Sequence, residues 1–305
     1  MSRLHEWLAS IEAQGYNGAN ARARLCQGIV LEAISKGKLS RHVTIKGGVV
    51  MRSLTGDIRR ATQDMDIDFI RYSLADEAIQ KFIDDINIFD DIHIEISGAI
   101  EPLKHQDYHG KCLTIHIYDD EGMTIDSKID LGVHKDLSIQ QEEYCFDVCM
   151  DEEGASLLIN SREQMLTEKL RSLLKFGPLS TRFKDIFDIC YLVDHVNRKT
   201  LNACINHYIF SDKIMRENNY PSIIKRLQET FDNRRYQSRI KTSRKNWLGI
   251  REQDAFQKII RFFKISRITH KRSTSAHSNC SAPIKLDLII WVVIYYPDIF
   301  MLWNA

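Results

Sequence analysis

Nowhere in the 305 residues is there an unbroken run of about 20 apolar side chains, the length a membrane-spanning helix wants. The nearest approach, Leu288 to Trp303, is interrupted by Pro297 and Asp298. The opening residues, Met1 to Gln14, are charged and amphipathic and lack an apolar core of signal-peptide length, so a cytoplasmic protein away from the membrane is expected. Paired cysteines are missing too. Cys26, Cys112, Cys145, Cys149, Cys190, Cys204 and Cys280 are odd in number and scattered, and most lie among apolar neighbours where cysteine behaves as a small hydrophobe, as in a reducing compartment. Cys145 and Cys149 have no second Cys or His pair at zinc-site spacing, which argues against a structural zinc. The net charge of +1 names no partner by itself, and it conceals an uneven distribution. What is present, 44% hydrophobic and 27% charged residues, suits a soluble chain long enough for two modest cores.

The most informative stretch runs from Thr44 to Phe69. Val43 to Ile45 reads as a short strand, and Gly47-Gly48 lets the backbone turn tightly before a helix opening at Val49, which makes an anion cradle. From Asp64 the chain alternates, placing Asp64, Asp66 and Asp68 on one strand face and Met65, Ile67 and Phe69 on the other. Acids about 6 to 7 Å apart along one face repel unless cations sit among them. Magnesium or manganese, in a two-ion arrangement, suits carboxylates that work on phosphates. The plainer alternative is a solvated edge strand.

A helix is expected over Asn20 to Ser35, another over Leu74 to Asp85, and strands over His93 to Ile96, Cys112 to Tyr118 and Ile125 to Val133. The last strand puts Asp126, Lys128 and Asp130 on one face. Asp130, which leads into the apolar Leu131 to Val133, is the candidate third metal carboxylate, with Asp126 the alternative. From Ser161 the pattern turns helical: Ser161 and Gln164 suggest a capping box, and Gly177-Pro178 stops a stripe of Leu166, Leu170, Leu173 and Leu174 bordered by Lys169. A second, almost wholly apolar helix from Arg182 contains Asp185 and Asp188, which need a cationic partner or a ligand if buried. The expected fold class is therefore α+β. An N-terminal mixed-sheet domain covers 1–150, a helical domain 151–265, and a tail of unassigned structure 266–305.

Between Lys225 and Arg272 basic residues far outnumber Glu229, Asp232, Glu252 and Asp254. With Tyr236, Trp247, Phe262 and Phe263 interleaved for stacking, the segment suits a polyanion such as RNA; otherwise it is a solvated helical face.

Lys46-Gly47-Gly48 followed by Arg60-x-Thr62-x-Asp64-x-Asp66 resembles the AbiEii-type nucleotidyltransferase toxins, a branch of the polymerase-beta-like nucleotidyltransferase superfamily. Glu163 with Lys169, and Asp185 with Asp188, resemble that family's third and fourth motifs, so the likeness spans about Lys46 to Leu192. The resemblance implies a nucleoside triphosphate substrate, phosphates at Lys46, Gly47 and Gly48, and metal at Asp64, Asp66 and Asp130, with Asp130 able to act as base. It also implies a triphosphate contact at Lys169, a site shaped by Asp185 and Asp188, and an ordering role for Arg60 and Thr62. An RNA acceptor such as a transfer RNA end, a cognate antitoxin and a role in toxin–antitoxin or phage defence follow from the same likeness. The rival reading is a non-catalytic RNA-binding module on such a fold; intact acids speak against it.

Overall fold

The computed structural model describes residues 2–103, 110–134 and 139–275. Two helices, α1 (Arg3–Ala13) and α2 (Gly18–Lys36), lead into β1 (Val43–Lys46), α3 (Gly47–Thr55), a short 3-10 turn over Ile58–Arg60, and β2 (Met65–Phe69). Then come α4 (Asp76–Asp85), β3 (Ile92–Pro102), β4 (Lys111–Asp119), β5 (Thr124–Val133), β6 (Glu142–Val148) and β7 (Asp151–Ile159). The rest is helical: α5 (Arg162–Phe176), α6 (Phe183–Leu192), α7 (Arg198–Ile205), a π turn over Asn206–Phe210, α8 (Tyr220–Phe231), α9 (Arg234–Thr242) and α10 (Glu252–Ser275).

The strands form one mixed sheet in the order β3-β4-β5-β2-β1-β7-β6. β1 runs antiparallel to β2 and parallel to β7, while β2 runs parallel to β5. The fold is α+β as expected. β6 and β7 carry no expectation from sequence, and β7 begins at Asp151, so the sheet continues past the expected boundary at residue 150 as far as Ile159. α10 likewise runs to Ser275, ten residues into the segment set apart as a tail; residues 276–305, including Cys280 and the apolar Leu288 to Trp303, lie outside the described residues.

Burial follows the periodicities. Leu113, Ile115 and Ile117 of β4 all face the core, the period-two signature of a strand with one covered face. α2 is buried along nearly its whole length and packs on β5, β6 and β7, which fits its lack of a polar stripe. In the helical part, Leu166, Leu170 and Leu174 of α5 meet α6, where Ile186, Phe187 and Ile189 are fully buried. Ser161 caps α5 by accepting from the Gln164 amide at 3.2 Å. The Gln164 side chain, however, donates forward to Glu168 at 2.9 Å instead of reaching back, so only half of the expected capping box forms. Truncation of Ile186 to Ala should destabilise the fold by about 2–5 kcal/mol, the cost of a cavity in packed core, measurable as a lowered urea midpoint with unchanged slope.

Candidate active site

Three strand ends build the floor of the site. The register pairs Lys46 of β1 with Asp66 of β2, and Asp66 with Asp130 of β5, so these three stand in one row across neighbouring strands. Strand spacing puts the Asp66 and Asp130 side chains about 5 Å apart at their roots. Asp126 lies beyond the end of β2 and pairs instead with His116 at 2.7 Å, so of the two expected alternatives only Asp130 joins Asp66. Lys46 reaches diagonally to Asp68, with Nζ to Oδ1 at 2.7 Å.

Asp64 departs from expectation. The strand starts at Met65, and Asp64 is exposed just ahead of it. On the β1 side no partner remains, because β1 ends opposite Asp66 and Gly47 already begins α3; on the β5 side the ladder starts at Met65 with Ile129, although β5 itself continues back to Thr124. The preceding carbonyls are held by side chains, Ala61 by Lys184 at 2.7 Å and Thr62 by Gln27 at 3.1 Å. Asp64 nonetheless borders the same cleft as Asp66 and Asp130.

The glycines fit that floor closely. Gly47 has φ +66°, and a Cβ there would stand 1.9 Å from the Asp66 Oδ2 atom; a Cβ on Gly48 would stand 2.4 Å from the Thr62 hydroxyl. The first turn of α3 and the acidic strand can therefore approach only because both positions lack side chains. α3 opens at Gly47 itself, two residues earlier than expected.

Behind the floor lies a buried ion-pair network. Asp188 has no solvent exposure and accepts from Arg60 in two parallel bonds, Nε to Oδ1 at 2.6 Å and Nη2 to Oδ2 at 2.7 Å. Lys169 adds a contact to Asp188 Oδ2 at 2.8 Å and another to Asp185 Oδ1 at 2.7 Å, and the Trp247 indole donates to Asp188 Oδ1 at 2.9 Å. Burial alone would raise the Asp188 pKa, but Lys169 and Arg60 outweigh it and hold the carboxyl below its ordinary range. Burial likewise opposes the charge on Lys169, and Asp185 and Asp188 overturn it and push that pKa up. The demand of two acids in an apolar helix for a cation is thus met by Lys169 and Arg60.

Arg60, Lys169 and Asp185 join the floor residues along a cleft of about 750 Å³, and Asp188 sits behind it. Besides Asp68 Oδ1, which the Lys46 ion pair answers at 2.7 Å, three buried polar atoms of cleft-lining residues have no hydrogen-bond partner among the described residues: Arg60 Nη1, His134 Nε2 and Gln164 Oε1. Such atoms are uncommon in folded chains and are answered by water, an ion or a ligand; others, among them Thr44 Oγ1 and Tyr236 Oη, lie away from the cleft. His134 follows β5 directly and Glu168 neighbours Lys169; sequence reasoning misses both, since a lone His and one more helical Glu carry no pattern. Burial raises the Glu168 pKa, with Lys46 and a bond from Gln164 opposing. Glu163 does not reach the cleft; its Oε1 accepts the Asn197 amide at 2.5 Å and fixes the start of α7.

The aromatic part of the basic segment is corrected by the structure. Tyr236, Trp247, Phe262 and Phe263 are all core residues at 8% exposure or less and cannot stack on bases. Several cations there are also engaged: Arg239 donates to the Pro178 and Ser180 carbonyls, and Arg251 pairs with Asp254 at 2.8 Å.

Residues 29–262 match the family model described as the nucleotidyl transferase AbiEii toxin of type IV toxin–antitoxin systems. The chain belongs to the AbiEii family. The matched span takes in every site residue above, from Lys46 to Trp247, and AbiEii proteins are nucleotidyl transferases, so the chain is an enzyme of that class. A search of curated proteins returned no match. None of the described helices of this AbiEii chain is long and apolar enough to cross a membrane.

Among the described residues, no three His, Cys, Asp or Glu side chains converge into a ready-made metal cage. The donor set still suits a hard cation that takes part of its shell from substrate: Asp66 and Asp130 are adjacent oxygen donors, with Asp64 beside them. Burial raises the Asp66 pKa, Asp130 adds to the rise, and Lys46 and Lys169 oppose it. A carboxyl whose folded-state pKa exceeds its unfolded value destabilises the fold once pH climbs past the unfolded value, because ionisation is costlier in the folded state. Asp66→Asn should therefore melt above wild type at neutral pH in chelator, and the gap should close as pH falls below the ordinary carboxylate range. A variant that melts lower at neutral pH would show that Asp66 is stabilising without metal. Arg60→Ala, which strips the bidentate partner from Asp188, should cost about 3–5 kcal/mol in denaturant titration.

Proposed function

We propose that this chain moves a nucleoside monophosphate from a nucleoside triphosphate to a hydroxyl of an RNA acceptor, such as the end of a transfer RNA. The observation that carries the reading is the row Lys46–Asp66–Asp130, set against a glycine turn with no room for a side chain. In the reaction the acceptor oxygen forms a bond to the α-phosphorus, the bond from that phosphorus to the β-phosphate oxygen breaks, and pyrophosphate leaves.

Each group has a part in that step. The backbone N–H groups at the start of α3 meet phosphate oxygens, as free amides at a helix N-terminus do. Arg60 offers its unpartnered Nη1 and Lys169 its third N–H, the other two being taken by Asp185 and Asp188. Thr62, packed against Gly48, orders the turn before the acidic strand, and Asp130 takes the proton of the attacking hydroxyl. Magnesium or manganese, as two ions held by Asp64, Asp66 and Asp130, would neutralise charge on the phosphate oxygens. In the cell the enzyme acts as the toxin of a toxin–antitoxin pair, the role its family description carries; to this we add the cytoplasm as its place of action and a cognate antitoxin as its partner.

The test is label transfer from each of the four triphosphates to total cellular RNA with magnesium or manganese. Wild-type protein should label RNA, and Asp66→Asn and Asp130→Asn should lose more than about a hundredfold, above what removal of a merely supporting group costs. No label with any triphosphate and either metal would remove the reading.

A further inference from the structure

Beside the nucleotide cleft lies a second, of about 640 Å³, and the two share Thr62, Asp64 and Lys184 on their borders. We propose that this second cleft is where the acceptor strand lies, held through its phosphates by Arg244, Lys245 and Lys184. The proposal rests on the transfer reading above and adds the place and the residues that take the acceptor.

The charges around the cleft ask for an anion. Arg59 also borders it, but its guanidinium is answered by Asp57, with Nη2 to Oδ2 at 2.6 Å. Arg244 and Lys245 are exposed and form no ion pair among the described residues. Lys184 donates to the Ala61 carbonyl at 2.7 Å, and burial, Arg60 and Lys245 together push its pKa down to about 8. Cations are thus crowded here beyond what nearby carboxylates answer, and Asp64, the one acid among the described residues on this border, stands where the two clefts meet. Repeated phosphates relieve such crowding. A protein acceptor brings one hydroxyl and no regular array of anions.

The loop that carries these cations is built in advance. Arg244 has φ +55°, a left-handed conformation uncommon in residues other than glycine and kept only where surroundings over-determine it. Next to it the Lys245 amide donates to the Ser243 hydroxyl at 3.3 Å, and Asn246 orders the rest of the loop by donating to the Ile250 carbonyl at 2.6 Å and accepting the Gly249 amide at 3.0 Å. Trp247 anchors the loop from below through its bond to Asp188. The carboxylate that orders Arg60 and Lys169 for the nucleotide therefore also fixes the loop beside the second cleft.

The course of the reaction points to the same place. In-line displacement needs the attacking hydroxyl to come from the side opposite the leaving pyrophosphate, and so needs its own approach to the carboxylates. The second cleft offers one, meeting the first at Asp64. Arg234 and Arg235 on α9, equally basic in sequence, border neither cleft.

The test measures binding of a short fluorescein-labelled single-stranded RNA to the full chain. Arg244→Gln combined with Lys245→Gln should raise the RNA Kd about tenfold at physiological salt and reduce the salt slope by about 1.4, at about 0.7 for each phosphate no longer neutralised. Its affinity for a non-hydrolysable nucleoside triphosphate and its melting temperature should hold, as both side chains are exposed. Arg234→Gln with Arg235→Gln should bind RNA like wild type. Unchanged affinity and slope in the first variant, or an equal weakening in the second, overturns the proposal. So does label transfer to a protein target that the first variant performs as well as wild type, an outcome that leaves nucleotidyl transfer itself standing. If wild type transfers no label at all while the first variant still binds RNA more weakly, the transfer reading fails and the cleft remains an RNA site.

Discussion

A carboxylate without access to water must be answered by cations and donors, and Asp188 is answered from three distant parts of the chain. Arg60 comes from the turn before the acidic strand, Lys169 from α5 and Trp247 from the loop before α10. Ion pairs buried this deeply stabilise little compared with a well-packed apolar core, because desolvation consumes most of the attraction, but removing one partner is expensive. Their effect here is to fix position. The turn that delivers Thr62 and Asp64, the helix that borders the cleft, and the loop that carries Arg244 and Lys245 cannot shift independently while all three share one buried anion.

A second constraint acts at the sheet. The Asp66 carboxylate stands where a Gly47 side chain would be, and the Thr62 hydroxyl where a Gly48 side chain would be. Close approach of a helix start to an acidic strand brings free amide donors and carboxylate oxygens within reach of one polyphosphate. It also ends β1 at Lys46, which leaves Asp64, exposed just ahead of β2, without a neighbour on the β1 side.

Much of this is legible in the sequence, and what is not has identifiable causes. The glycine pair, the alternation through Asp66 and Asp68, and the apolar helix around Asp188 are local patterns whose physics does not depend on distant residues. The choice between Asp130 and Asp126 stays open in sequence because it is a matter of register, and register is set by β2 running parallel to β5 from a distant part of the chain. β6 and β7 escape notice because Glu142, Glu143, Glu152 and Glu153 mask the alternation of Phe146, Val148, Ala155 and Leu157. The stacking role for Tyr236, Trp247, Phe262 and Phe263 fails for a different reason. A basic helical segment with aromatics looks the same in sequence whether its rings face solvent or core, and here α8, α9 and α10 pack their aromatic faces together, with Phe231 stacked on Phe256 at 4.3 Å.

The charge balance around the nucleotide cleft bears on how a triphosphate would enter it. Lys46 is paired with Asp68, Lys169 with Asp185 and Asp188, Arg60 with Asp188, and Arg171 with Asp212. These four cations already face carboxylates, so none of them can neutralise an incoming phosphate at full strength without weakening an ion pair that holds the fold, while Arg182 and Lys184, also on the cleft border, form no ion pair among the described residues. Asp66 and Asp130, by contrast, face each other across neighbouring strands, and the raised pKa of Asp66 registers both its burial and that repulsion. A bare polyphosphate placed against them would add like charge to like charge. The proposed transfer therefore asks for cations that arrive with the substrate and satisfy both parties at once, which is the part assigned to magnesium or manganese. The protein's own positive groups then serve to aim the phosphates, and the balance of the site is completed only by the substrate complex.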